Sequence, residues 1–182
     1  LPLMFQIGFG FSAVRSGQLI LATALGALLT RSFTPRLLQL VGFRNGMLYN
    51  GVLSSLAYAV CALFRPDWPF AAMFGLLMGC GAVMSFQFAA YNTVAYEGVP
   101  RERLGAANAL YTTLQQLMLS FGVCAGALLL KLAMGVRGHA HPQAGDFSFA
   151  FVAVSLVSLS STVWHLRFAH DAGHELSGHR PR

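Results

Sequence analysis

An all-α, polytopic membrane helical bundle is the fold class this 182-residue sequence predicts, and three observations carry the prediction. Charged residues make up only 10% of the chain against 55% hydrophobic, with a mean hydropathy of +0.59, whereas soluble domains carry about 25% charged residues. Asp, Glu, Lys and Arg are absent from 16–30, 45–64, 68–96, 104–130 and 147–166, and from the opening 1–14. Four of those five stretches hold at least 20 residues, enough at about 1.5 Å per helical residue to cross a hydrocarbon core of about 30 Å. The runs are also continuous and rich in Ala, Leu and Gly, where barrel strands need short segments of alternating polarity.

About six spans follow in order, the first truncated. Residues 1–11 read as the tail of a span that starts upstream, followed by a turn around 12–17. The second span, 13–31, borrows from its flanks, with Arg15 and Arg31 snorkelling to opposite surfaces. A loop carrying Pro35 and Gly42 leads to the third span, 46–64, closed by Arg65-Pro66-Asp67-Trp68-Pro69. The fourth covers 69–92, with Pro69 suited to its first turn. A polar loop around 96–103 precedes the fifth, 105–132, and the Gly-, His- and Pro-rich segment 135–146 precedes the sixth, 147–166. The polar tail 169–182 closes the chain.

Loop cations set the orientation. One side holds eight (Arg31, Arg36, Arg44, Arg101, Arg103, Arg167, Arg180 and Arg182), the other four (Arg15, Arg65, Lys131 and Arg137). The positive-inside rule makes the richer side cytoplasmic, with the C-terminus on it. The net charge of +6 is dispersed singly over loops, which excludes a nucleic-acid stripe.

Few residues offer chemistry. Cys61, Cys80 and Cys124 lie within apolar runs without CxxC spacing and read as inert packing. His139-x-His141 and His170-x-x-x-His174-Glu175 lack a full ligand set, so neither a metal nor a cofactor is expected. No phosphate loop or catalytic triad stands in a persuasive context, and an enzyme is not expected. All six acids fall outside the apolar runs or at their ends, so no carboxylate is expected buried among the helices. A proton relay through this part of the protein would need one.

Uncharged polar residues are more suggestive. Asn108, Tyr111 and Gln115 share one helical face, and Gln87 and Tyr91, with Asn92 adjacent, share another. Amides in hydrocarbon need partners, so these faces line a solute pathway or form hydrogen bonds that hold the bundle together. Gln6 and Asn50 carry the same two readings. Gly75-x-x-x-Gly79 and Gly122-x-x-x-Gly126 permit close helix packing.

Four local patterns carry a resemblance. They are Leu1-Pro2-Leu3-Met4-Phe5-Gln6 with Gly8, Ser12 and Gly17; Pro35-Arg36-Leu37-Leu38 with Gly42-Phe43-Arg44; Asn92 with Val99-Pro100-Arg101-Glu102-Arg103; and Gly105-Ala106-Ala107-Asn108 with Gln115-Gln116-Leu117, Ser120 and Gly122-Val123. In this order they resemble the C-terminal half of a major facilitator superfamily transporter, and most of all the fourteen-span drug:proton antiporter group. The resemblance implies a carrier in a bacterial inner membrane, working by alternating access against a missing N-terminal half. It implies a lipid bilayer and a small organic solute as partners, and a loop at Pro35, Arg36, Gly42 and Arg44 that helps gate the cytoplasmic side. Proton-coupled efflux is the expected activity, and a non-transporting membrane scaffold is the alternative.

Overall fold

The computed structural model describes residues 1–34, 43–96 and 98–165, with the side chains of 43, 44, 94 and 163–165 outside that description. Its architecture is helical: α1 (Ala13–Arg31), α2 (Phe43–Ala62), α3 (Phe70–Ala95), α4 (Leu104–Arg137) and α5 (Ala144–His165). Among the described residues, all of these but α2 are long and apolar enough to cross a membrane, in part or whole. Helix α2 has the length, at 20 residues, but Asn50, Ser54, Ser55 and Tyr58 lower its hydropathy. Asn50 and Ser55 have partners on neighbouring helices and Ser54 bonds back to its own, which is how a span of modest hydropathy is tolerated.

The opening segment is helical over 2–8, in a widened form. A π-helical turn, Met4–Gly8, closes with an i→i+5 bond from Phe9 N to Met4 O at 2.9 Å. Gly10 then takes φ +67°, a left-handed conformation open to glycine, and ends the segment. Helix α1 starts immediately afterwards, so the turn foreseen around 12–17 is already helix. Ser12 caps it by accepting from Arg15 N at 3.2 Å. The Arg15 guanidinium lies 4.0 Å over the Phe11 ring, which holds the cation at the end of the helix.

Spatial order departs from chain order. Helix α1 packs most extensively on α3, α3 also packs on α2, α2 packs broadly on α5, and α5 meets α4. The α1–α3 crossing is made by small residues. A Cβ on Gly26 would run into the Met78 carbonyl, and one on Gly81 into the Thr23 carbonyl. Ser85 seals the crossing by donating to Ala27 O at 3.1 Å. At Gly75, Gly79, Gly122 and Gly126 an added Cβ would meet nothing within 4 Å among the described residues.

A hydrophobic core gathers Met4, Phe5, Leu19, Ala22, Cys61, Phe64, Met73, Leu77, Cys80 and Phe147. Helix α4 stands at the edge, exposed along most of its 34 residues. It ends on Gly138 at φ +70°, a left-handed cap that satisfies its last carbonyls.

One acid corrects the expectation that none is buried. The Asp146 side chain is fully enclosed at the start of α5. It accepts from Gln143 N at 3.0 Å, closing the first turn of the helix, and from His139 Nδ1 at 2.9 Å. Arg137 Nη1 stands 3.5 Å away. The loop segment 138–143 folds back over the carboxylate, and that is why a residue at the end of an apolar run is buried.

Candidate functional site

Two polar zones stand out, one between packed helices and one at the exposed margin where the residue after α3 meets α4. The first is a cavity of about 230 Å3 between α2, α3 and α5, lined by Gly51, Ser54, Tyr58, Gln87, Tyr91, Ser158, Ser161 and Thr162 among others. Asn50 organises its wall. Its Nδ2 donates to Gln87 Oε1 at 2.6 Å and to Val83 O at 3.0 Å, joining α2 to α3. Ser55 donates to Gly51 O at 2.9 Å and contacts Ser158 Oγ at 3.0 Å, while Ser155 donates to Ser55 O at 2.7 Å. These bonds fix α5 against α2. Gly51 makes room for the approach, since a Cβ there would come within 2.7 Å of Thr162 Oγ1.

The second zone joins α3 to α4. Tyr96 OH donates to Asn108 Oδ1 at 2.7 Å, and the Tyr96 and Tyr111 rings stand 5.6 Å apart at 58°. Tyr91, which lines the first cavity, lies five residues before Tyr96 in the chain. Gln115 continues the Tyr111 face one turn on and is half-buried. Asn92 turns to its own helix and donates to Phe88 O at 2.8 Å. Neither zone contains a charged side chain among the described residues.

The structure thus brings Gln87 and Tyr91 to one cavity, and Asn108 and Tyr111 to the Tyr96 patch. Pro35, Arg36 and Gly42 lie outside the described residues. Arg44 belongs to α2 by its backbone, and its side chain lies outside the description. The tail histidines His170 and His174, with Glu175, lie outside it too. Gln6 Nε2 reaches Ser16 Oγ at 3.5 Å, a contact between the opening turn and α1.

Sequence reasoning missed the hydroxyls of the first zone, although a signal was present. Asn50, Ser54 and Tyr58 recur at four-residue intervals on α2, and Ser155, Ser158 and Thr162 at three and four on α5. Either stripe alone reads as hydroxyls bonded back to their own helix. Meeting Gln87 across the bundle turns them into a cavity wall.

The chain is thus a bundle of helices, most of them long and apolar enough to cross a membrane, with uncharged polar groups at two of its seams. The Major Facilitator Superfamily model matches residues 1–123, and the chain belongs to that family. It is 29% identical over 176 residues to the "Probable transport protein HsrA" of Haemophilus influenzae, covering 96% of this chain and 38% of that protein. It is 26% identical over 177 residues to the "Putative multidrug resistance protein MdtD" of Citrobacter koseri, covering 93% and 36%. The MdtD protein of Cronobacter sakazakii is 28% identical over 166 residues, covering 86% and 34%. The chain therefore spans between a third and two fifths of the length of these relatives. No solved structure gives a significant match.

Proposed function

We propose that this chain is the C-terminal helical half of a bacterial inner-membrane transporter that expels drug-like, amphipathic organic solutes in exchange for protons. The observation that carries the reading is the uncharged aromatic and amide face joining α3 and α4, in a chain of this family. Tyr91, Tyr111, Asn108 and Gln115 offer rings and hydrogen-bonding groups without a fixed charge, which suits large solutes of varied shape. Gln87 and Asn92 set the edge of that face by pinning α3 to its neighbour and to itself.

The other half of the transporter supplies the opposing wall for alternating access. Gly75, Gly79, Gly122 and Gly126, open in this bundle, are then packing positions for helices beyond it. The proton-carrying carboxylate belongs to that other half as well, because Asp146 is committed to capping α5. The loop at Pro35, Arg36, Gly42 and Arg44 acts in cytoplasmic gating, with the C-terminus on the same side.

The test is efflux of a fluorescent lipophilic cation by the complete transporter in inverted vesicles. Transport should accelerate when a pH gradient is imposed and collapse with an uncoupler. Transport indifferent to the gradient rejects antiport. Tyr111→Ala and Gln115→Ala should change KM for the dye, and unaltered kinetics in both variants would remove this face from the pathway.

A further inference from the structure

Cys61 and Cys80 are buried together in the core where α2 and α3 meet. The Cys80 thiol points at Ala57 O, 3.8 Å away. That carbonyl lies one helical turn before Cys61 and accepts the Cys61 amide in a regular helix, so the Cys80 sulfur sits against the stretch of α2 that presents Cys61. Cys124, in contrast, is exposed on α4. The cluster that holds the pair is apolar and also contains Met73, whose thioether is a second soft sulfur type.

We infer that Cys61 and Cys80 form a two-thiol site between α2 and α3 that captures soft, thiophilic species, trivalent organoarsenicals in particular, and staples the two helices. Soft sulfur donors select soft acceptors, and an uncharged arsenical partitions into the bilayer that surrounds the site. With phenylarsine oxide the reaction balances without oxidation. Two sulfur–arsenic bonds form, the arsenic–oxygen bond breaks, and both thiol protons leave with that oxygen as water. Arsenic stays trivalent throughout. The inference stands independently of the transported solute.

The experiment treats membranes bearing the complete transporter with phenylarsine oxide, then washes them with excess β-mercaptoethanol to strip arsenic held by single thiols. Wild type should retain one more equivalent of arsenic than either Cys61→Ser or Cys80→Ser, and Cys124→Ser should match wild type. Equal retention in wild type and in the two pair variants overturns the site. Mapping on the wild type decides the matter without any variant. Pro66 follows Arg65 and blocks tryptic cleavage there, so peptide 45–101 contains Cys61 and Cys80 and no other cysteine. That peptide should carry one phenylarsenic in place of two thiol hydrogens, and should lose it to 2,3-dimercaptopropanol. Arsenic found only on other peptides, or a mass short of two hydrogens with no arsenic, overturns the proposal.

Discussion

Asn50 shows how much a single side chain governs in a bundle without charges. One amide group donates to both Gln87 and Val83, and so ties the most polar helix to the one that carries the aromatic face. Asn50→Ala leaves the Gln87 amide without that partner and should destabilise the protein by about 1 kcal/mol, in line with hydrogen bonds measured between membrane helices. Replacing both residues by Leu should recover most of the loss, because no polar group is then stranded. Thermal denaturation of the purified protein checks this, and a double variant as unstable as the sum of the singles contradicts it. Asp146 presents the charged counterpart. Asp146→Ala removes a helix cap and the partner of His139 together. A loss of about 2–3 kcal/mol is expected, visible in the same melting experiment, while Asp146→Asn should retain part of it through the Gln143 contact.

At the scale of elements, the crossing of α1 and α3 has the least tolerance. Gly26→Ala and Gly81→Ala each place a methyl group against backbone carbonyls that no rotamer change can move. Both should reduce the yield of folded, monodisperse protein sharply, with overpacking costs of about 1–3 kcal/mol or more. Gly17→Ala is the control. Its Cβ meets nothing within 4 Å, and Ala is the better helix former by up to about 1 kcal/mol. Size-exclusion profiles of the three variants separate these outcomes, and equal profiles would contradict the crossing. The helices were legible because charges are expelled from hydrocarbon, so their absence marks each span. This crossing was not read, although Ala22-x-x-x-Gly26 and Gly81-x-x-x-Ser85 both place small residues four apart. Small pairs recur throughout such helices, and sequence cannot say which pair faces which. The site was half legible for a related reason. Gln87 and Tyr91 stood out as costly residues in lipid, whereas the serines facing them bond to their own helix and cost little.

For the whole molecule, the eight-to-four division of loop cations predicts the orientation of the bundle. Alkaline phosphatase fused after residue 140 should be active, and green fluorescent protein fused after residue 182 should fluoresce, since each reporter works on one side only. The reverse pattern would invert the topology and move the gating loop to the outer face. Exposure of α4 along nearly its whole length fits a helix that belongs to an interface larger than this bundle. Co-expression of the two halves of the transporter as separate chains should therefore raise the steady-state level of this one, as measured by immunoblot.

The pairing of α1 with α3 also bears on how the chain is made. Helix α1 leaves the ribosome before α2, yet its closest partner is α3, which emerges later. In the interval, the surface around Ala22 and Gly26 is expected to rest against lipid tails. Its smallness is thus a compromise between two successive neighbours, being apolar enough for the first and flat enough for the second. Ribosomes stalled before residue 70 should hold α1 in a state that cross-links to lipid, and stalling only after α3 has cleared the ribosomal exit tunnel should replace lipid with α3.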